Sequence, residues 1–328
     1  MKNDEKQTKA RKAFRRMAWV TFCAVFFLVA VGGVVRVTGA GLGCPDWPTC
    51  WGCWLPPSGP EEIPSLTDEA GNKFYEDKQG NHHPISEFDS TMMWIEYLNR
   101  MVGVVVGLMI IATFILSLRL RKNDPRLFQG SLTALLLVLF QGWLGAVVVR
   151  SGLQPGIITL HMVLAMVLLC LLLWLARRAS EEDENVDSAP AAPRYARILT
   201  GAVMLQVATG TQVREGIDPF IKDSKGLPRE AWLGQVGLAD DLHRPTSWLV
   251  LILVLLTWNG LRDMESPQRK LAHIAVGITL AQMTLGLILE NAGLPPVAQT
   301  LHLAGAAALT CIAFCLGWPI GKVEKLSA

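Results

Sequence analysis

The chain has 328 residues, of which 51% are hydrophobic and only 18% are charged. A water-soluble protein of this length would need a larger share of polar residues to cover its surface. The formal net charge is +2, so the sequence has no electrostatic basis for binding nucleic acid. Composition therefore favours a membrane protein and argues against a nucleic-acid-binding one.

Apolar stretches of about 20 residues, long enough to cross a bilayer, recur along the whole chain. The first stretch has no small-residue cleavage site and continues through Gly32, Gly33 and Arg36, so we expect a retained span and not a signal peptide. Together the stretches predict eight spans, at residues 17–36, 93–118, 128–149, 157–176, 195–213, 243–260, 270–289 and 298–318.

Lysine and arginine residues between the spans fall on one side of the membrane if the chain crosses it eight times. Positive charge marks the cytoplasmic side, so we expect both termini in the cytoplasm and the protein in a bacterial inner membrane. The first long loop, residues 37–91, then faces outward. The residues that set this orientation are Lys2, Lys6, Lys9, Arg11, Lys12, Arg15, Arg16, Arg119, Arg121, Lys122, Arg126, Arg177, Arg178, Arg262, Arg269, Lys270, Lys322 and Lys325.

Two segments of the chain repeat each other at one constant offset. The segment from Gln141 to His161 matches the segment from Gln282 to His302, and both end in Thr-Leu-His. We expect the two glutamines to form hydrogen bonds between helices. Within these segments the further matches are Leu144-Gly145 with Leu285-Gly286, Gly152-Leu153 with Gly293-Leu294, and Pro155 with Pro296. Two weaker matches lie outside them: Leu98-Asn99-Arg100 with Leu242-His243-Arg244, and Gly32 through Arg36 with Gly210 through Arg214.

This repeat decides the predicted architecture. The fold class is expected to be all-α and integral to the membrane, with eight transmembrane helices in two tandem four-helix bundles related by internal duplication. The N-terminal half is residues 1–180 and the C-terminal half is residues 195–328. The polar segment 181–194 is predicted to be a cytoplasmic linker.

Four matched positions lie one or two turns into helices that start at the outer face: Asn99, His161, His243 and His302. An ionisable residue inside a membrane span is costly and is usually functional. Two histidines on facing helices of a bundle can bind a haem iron through neutral imidazole nitrogens. The sequence predicts that His243 and His302 are the axial ligands of one haem. The alternative is a pair of interfacial histidines that hydrogen-bond between helices.

The first half departs from this symmetry, because Asn99 stands where His243 predicts a histidine. Asparagine is a poor ligand for haem iron, so a haem here is expected to bind through His161 alone, with its opposite face open to reaction. The alternative is a first site that has decayed. Glu96 shares a helix face with Asn99 and could move protons or stabilise a developing cation. Alternatively, it is a helix-start carboxylate favoured by the helix dipole.

Five arginines lie beside these positions or at the outer ends of spans. Arginine pairs well with carboxylates such as haem propionates. The sequence therefore predicts substrate contacts for Arg36, Arg100 and Arg150 in the first half, with cofactor contacts for Arg214 and Arg244 in the second. Some of the five are expected to be interfacial anchors only.

Three cysteines, Cys44, Cys50 and Cys53, lie close together in the outer loop. The compartment outside the membrane is oxidising, which favours a Cys44–Cys50 disulfide and leaves Cys53 over. The alternative is a zinc site in which Cys50 and Cys53 act together with His82 and His83.

These motifs resemble those of the haem A synthase family, and the resemblance covers nearly the whole chain. Members of that family oxidise the methyl group at ring position 8 of haem O to a formyl group, which gives haem A for terminal oxidases. The resemblance is carried by the stretch Gly32 to Leu42 with its Cys44-Pro45-Asp46-Trp47-Pro48 continuation, by Glu96 to Arg100, by Leu242-His243-Arg244 and by both Thr-Leu-His helix starts.

The resemblance implies an oxidoreductase with a haem b held by His243 and His302, and with haem O entering the first half near His161. It marks Glu96 as the important acidic residue and contributes Asn99 to the substrate site. The family usually has histidine where Asn99 stands, which puts in doubt a mechanism that needs two histidines on the substrate iron.

Haem O synthase and terminal oxidase assembly are the partners implied by the same resemblance, and the sequence is compatible with a homo-oligomer. The alternative function is a b-type haem membrane protein that transfers electrons from quinol. A transporter is disfavoured, because both copies have four spans and therefore share one orientation.

Overall fold

The computed structural model describes residues 2–180, 194–222, 226–262 and 267–318. Within these ranges the chain forms eight long helices: α1 Lys2–Val37, α2 Ser90–Ser117, α3 Pro125–Arg150, α4 Ile157–Arg178, α5 Arg194–Lys222, α6 Leu238–Asn259, α7 Pro267–Asn291 and α8 Pro296–Gly317. The predicted linker lies outside the described residues except for Arg194, and Lys322 and Lys325 lie outside them too.

Six of these helices are long and apolar enough to cross a membrane: α1 from Glu5 onward, α2, α3, α4, α7 and α8. The chain is therefore a multi-pass helical membrane protein. Helices α5 and α6 are not among the six, and each carries charged residues near the loop face. Arg214, Glu215 and Asp218 lie in α5, whereas Asp240, Asp241 and Arg244 lie in α6.

The helix starts follow the sequence signals in part. Asp89 caps α2 by accepting hydrogen bonds from the backbone amides of Thr91 and Met92. Pro296 is the first residue of α8, where its missing N–H costs nothing. Helix α6 has Gly237 as its N-cap, so Asp240 and Asp241 lie inside its first turn, where the helix dipole favours carboxylates.

Four helices form the centre of the molecule. Helices α1 and α5 each contact both α4 and α8, while α2 and α3 flank α1 and α4, and α6 and α7 flank α5 and α8. Lipid tails are as apolar as the side chains, so the hydrophobic effect does not drive such helices together. Close packing and polar contacts between the helices stabilise the bundle instead. Leu169 and Leu172 are fully buried on α4. A buried hydrogen bond of 3.1 Å between the hydroxyls of Thr21 and Thr113 joins α1 to α2.

Residues 38–89, called the cysteine loop below, connect α1 to α2 and define the loop face of the molecule. Their three short strands, β1 Leu66–Thr67, β2 Lys73–Glu76 and β3 His82–Pro84, form one antiparallel sheet in the order β1-β2-β3. Short 3₁₀ turns lie at Ala40–Leu42, Pro60–Glu62 and Ile85–Glu87, and two more follow α5, at Arg229–Ala231 and Leu233–Gln235. A small core that includes Trp51, Ile63, Tyr75 and Met93 packs the loop onto the start of α2.

Candidate functional site

The structure brings the two histidines of the C-terminal half together. The imidazole ring centres of His243 on α6 and His302 on α8 lie 6.3 Å apart, with an angle of 68° between the ring planes. An imidazole nitrogen lies about 2.0 Å from a metal that it binds, so two imidazoles on opposite sides of one metal atom have ring centres roughly 6 Å apart. The spacing therefore fits one iron atom between the rings.

Helix α5 supports His243 through two polar residues that the sequence analysis missed. A hydrogen bond of 3.1 Å joins the Nδ1 of His243 to the Thr209 hydroxyl, and Gln206 Nε2 donates to the His243 carbonyl at 2.9 Å. Thr246 in turn donates to the Gln206 side-chain oxygen at 2.5 Å. The other ring nitrogen of His243, Nε2, lies 3.4 Å from Gln206 Nε2, so an iron atom bound at Nε2 would replace this long hydrogen bond while Thr209 keeps the ring orientation.

Gly210 gives the His243 ring the space that it occupies. A Cβ placed on Gly210 would lie 2.8 Å from the Cε1 atom of His243. The matched residue in the first half, Gly32, has no atom within 4 Å of a Cβ built in the same way. Only the C-terminal half therefore needs glycine at this position to make room for a ring.

The first half holds His161 against α3. Gln141 Nε2 donates to the His161 carbonyl at 3.0 Å, which confirms the predicted bond between helices, and a Cβ on Gly145 would lie 3.6 Å from the ring. Among the described residues, no hydrogen-bond partner is found for His161 Nδ1, Gln141 Oε1 or Asn99 Oδ1, although all three atoms are buried. Unpaired buried polar atoms are costly, so each of these three atoms is available to a polar or metal-containing ligand.

Glu96 is buried at the base of the cysteine loop, with 3% of its surface exposed. Its Oε2 accepts a hydrogen bond of 2.8 Å from the backbone amide of Cys44, and its Oε1 pairs with the guanidinium of Arg100 one turn further along α2. The carboxylate is therefore an ion-paired group, and more than a helix-start residue.

Arg100 fastens the cysteine loop to α2. Besides Glu96, it donates to the carbonyls of Cys44 at 3.0 Å, Asp46 at 2.7 Å and Thr49 at 3.0 Å. Together with two hydrogen bonds to Glu96, these three bonds use all five N–H donors of the guanidinium. A propionate could bind Arg100 only by displacing one of these acceptors, so its predicted substrate contact has to compete with them.

Two of the other arginines meet at the loop face through an acid that the sequence analysis also missed. Asp218 on α5 accepts a hydrogen bond of 2.7 Å from Arg36 on α1 and also pairs with Arg214. Arg214 additionally donates to the Arg36 carbonyl at 2.9 Å. This cluster ties the two halves of the chain together.

The remaining two arginines lie further out. Arg244 pairs with Asp240 at 2.6 Å and with Glu290 on α7. Arg150, at the end of α3, is exposed, and its Nε donates to the Ala146 carbonyl at 3.3 Å. Both keep part of their surface open to a ligand.

The cysteine loop contains the expected disulfide, Cys44–Cys50, with Cα atoms 4.7 Å apart. Cys53 is a free thiol, and burial followed by the charges of Asp46 and Glu62 raises its pKa. Across the ranges that the structure describes, no group of three His, Cys, Asp or Glu side chains could hold a metal ion. The zinc alternative for this loop is therefore not supported.

One protein-family model matches most of the chain. The family model for the cytochrome oxidase assembly proteins, COX15-CtaA, matches residues 15–314. The chain belongs to this family. The match spans Glu96, His161, His243 and His302, so the COX15-CtaA likeness covers both histidine sites.

Three relatives named heme A synthase cover most of the chain. That of Nitrosomonas eutropha is 26% identical over an alignment of 321 positions, gaps included, that covers 89% of each protein. That of Caulobacter vibrioides is 26% identical over 335 aligned positions, with 93% of this chain and 95% of the relative covered. That of Methylobacterium radiotolerans is 29% identical over 354 aligned positions, with 96% of this chain and 93% of the relative covered. The likeness to these relatives therefore extends over most of their length as well as most of this chain.

Proposed function

We propose that this protein is a haem A synthase, which oxidises the C8 methyl group of haem O to a formyl group and so supplies haem A to terminal oxidases. The single observation that carries the proposal is the pair of facing imidazoles, His243 and His302, with ring centres 6.3 Å apart in a family of oxidase assembly proteins. The relatives named heme A synthase point to the same chemistry.

The resident cofactor of the C-terminal half is proposed to be haem b, with His243 and His302 as its axial ligands. When bound, a haem with two imidazole ligands supplies electron transfer. Thr209 and Gln206 orient His243 from α5, while Arg244 and Arg214 lie at the loop-face end of the same half and are proposed to balance the propionates.

The substrate site is proposed to lie in the N-terminal half. His161 binds haem O through a ring nitrogen, which is supported by its unpaired Nδ1, and Asn99 leaves the other side of the substrate free for reaction. Arg36 and Arg150 lie in the last turns of α1 and α3 and are proposed to pair with the substrate's carboxylates, Arg36 in competition with Asp218. Oxidation of a methyl group to an aldehyde through an alcohol removes protons as well as electrons.

Glu96 is proposed to handle those protons or to stabilise positive charge that develops on the substrate. Arg100 and the Cys44 amide hold its carboxylate in one orientation at the base of the loop. Burial keeps competing water away from the group, so its effect on a nearby charge is not screened as it would be in solution.

Eight spans in two duplicated halves, residues 1–180 and 195–328, are proposed as the full architecture. The backbone supports the duplication at the matched pairs Gly152-Leu153 and Gly293-Leu294. The two leucines have φ of 66° and 58°, which is unusual outside glycine, and the two glycines have φ of 65° and 66°. The shared turn supports matched positions for His161 and His302, each within the first two turns of its helix.

The protein is proposed to lie in the bacterial inner membrane with both termini in the cytoplasm and the cysteine loop outside. Basic residues on the opposite side from that loop support this orientation. Haem O synthase and the assembling terminal oxidase are the proposed partners, since one makes the substrate and the other takes the product.

Co-expression with a haem O synthase, followed by chromatography of the extracted haems, tests the proposal. We expect haem A from the wild-type chain and none from His161→Ala, with haem b retained in both. Purified protein that holds two low-spin haems b and yields no haem A would instead establish the electron-transfer alternative, and protein that holds no haem would exclude both.

A further inference from the structure

A buried acid of the C-terminal half lies against the helix that carries His161. Glu215 on α5 has 6% of its surface exposed. Its carboxylate accepts three hydrogen bonds from the start of α4: from the Gly156 amide at 3.0 Å, the Thr159 amide at 3.0 Å and the Thr159 hydroxyl at 2.9 Å. Thr159 is two residues before His161.

These three hydrogen bonds act as the N-terminal cap of α4. The first amides of a helix have no partner within the helix, and a side chain normally supplies one. The N-cap residue of α4 is Gly156, which has no side chain to do so. Glu215 replaces that cap from another helix, and its negative charge also suits the positive end of the α4 dipole.

The matched helix of the other half is built differently. In α8 the corresponding threonine, Thr300, donates its hydroxyl to the Pro296 carbonyl of its own helix at 3.1 Å. The position on α1 that corresponds to Glu215 is Val37, which cannot accept a hydrogen bond through its side chain. Among the described residues, α4 is therefore capped from the opposite half, whereas the start of α8 has no such side-chain cap.

The position of Glu215 is itself stabilised by the neighbouring cluster of Arg36, Arg214 and Asp218, which joins the two halves of the chain. Asp218, one turn further along α5, pairs with Arg36 of α1, and Arg214 bonds to the Arg36 carbonyl. The end of α5 is thereby fixed to α1 and α4 at the same time. A shift of α5 would move the first turn of α4 and the His161 ring with it.

We infer that Glu215 is a positioning residue of the C-terminal half that sets the place of His161 in the N-terminal half. The inference rests on the proposed function only in treating His161 as a haem ligand. It means that the first site is not complete within residues 1–180, because its ligand helix takes its cap from α5.

Binding of protohaem to the full-length protein in detergent tests the inference without any turnover. The first site is measured as the Soret absorbance change that is lost in His161→Ala. Removal of a group that orients a metal ligand typically costs about tenfold or more in affinity. We therefore expect Glu215→Gln to weaken protohaem binding at this site roughly tenfold, with Glu215→Asp, which keeps the charge, recovering part of the loss.

Two further measurements separate positioning from general damage. Amide hydrogen exchange at residues 156–161 should accelerate in Glu215→Gln, while haem retained by the C-terminal half stays at the wild-type level. Glu230→Gln, an exposed acid in the loop after α5, and Thr300→Val in the matched helix are the controls and should leave the first site unchanged. If Glu215→Gln does not fold, Thr159→Val removes one of the three bonds and should weaken binding by a smaller factor.

Wild-type affinity at the first site in Glu215→Gln, or an equal loss of haem from both halves, would overturn the inference. These outcomes are distinct from failure of the proposed function. A chain that binds protohaem through His161 but makes no haem A from haem O would refute the synthase activity and leave the role of Glu215 standing.

Discussion

The carboxylate of Glu96 accepts a hydrogen bond of 2.8 Å from the backbone amide of Cys44, which is one half of the Cys44–Cys50 disulfide. The proposed catalytic acid and the covalent loop closure are therefore in direct contact. Arg100 bonds to both of them, so the three residues form one unit at the start of α2.

Replacement of Glu96 should stop synthesis without removing the resident haem. We expect Glu96→Ala to abolish haem A while haem b in the C-terminal half is retained, because His243 and His302 are on other helices. Chromatography of extracted haems measures both products. Glu96→Gln is the matched variant, since it keeps the size and can still accept from Cys44 but has no charge; undiminished haem A in either variant would remove Glu96 from the mechanism.

The disulfide is expected to secure the orientation of Glu96. Cys44→Ser with Cys50→Ser should lower haem A formation, since the loop that donates the Cys44 amide is then held mainly by Arg100. Mass spectrometry after alkylation without reductant should find one labelled loop cysteine, Cys53, in the wild-type protein. Cys53→Ser is the control and should retain activity; labelling of all three loop cysteines in the oxidised protein would contradict the assignment.

Gly210 and its counterpart Gly32 offer a matched pair of substitutions. A Cβ on Gly210 would lie 2.8 Å from His243, so Gly210→Ala must push the ring aside, and such overpacking costs about 1–3 kcal/mol. We expect weaker haem binding in the C-terminal half, seen as a changed low-spin absorbance spectrum. Gly32→Ala enters open space and should leave that spectrum unchanged. Equal behaviour of the two variants would mean that the His243 ring does not lie where the structure places it.

The ionisation of Asp77 should determine how the sheet of the cysteine loop responds to acid. Burial favours the neutral acid, but hydrogen bonds from Asn81, His83 and Gln79 outweigh it and lower the pKa of Asp77 from 3.8 to about 2. A lowered pKa in the folded loop means that the ionised carboxylate stabilises it above pH 3.8 and that this stabilisation is lost as the pH falls toward 2.

Pepsin cleavage between β1 and β3 measures this loss. We expect the wild-type loop to resist at pH 4 and to be cut at pH 2, while Asp77→Asn is cut at both. Asp68→Asn changes an exposed carboxylate in the same sheet, whose pKa is lowered by Asn72, and should have a weaker effect. If Asp77→Asn resists pepsin at pH 4, the Asp77 carboxylate does not stabilise the turn between β2 and β3.

Sequence patterns were sufficient for the helices that are apolar throughout and for the facing histidines. The spans around 128–149 and 157–176 correspond to α3 and α4, because long apolar runs bounded by charges or turns leave little choice of structure. The convergence of His243 and His302 followed from their matched positions in the repeat.

Contacts between polar residues that are far apart in the chain could not be predicted from the sequence. Span five was expected to end at 213, just before the charged residues Arg214, Glu215 and Asp218. Helix α5 continues to Lys222 because these charges bond to α1 and α4, and no local pattern reports such partners. For the same reason Arg100 was assigned to a propionate, although its donors meet the cysteine loop. A signal for Thr209 did exist, since Gln206, Thr209 and Gly210 share one face of α5.

The polarity of α5 and α6 bears on how the chain reaches its membrane during synthesis. Neither helix has the apolar composition that makes α1 to α4, α7 and α8 candidates to cross a membrane by themselves. The two polar helices contact each other, and α5 also contacts α4 and α8. Their insertion should therefore wait for neighbours already in the bilayer, so translation of residues 1–180 first provides the surface on which the second half of the protein is assembled.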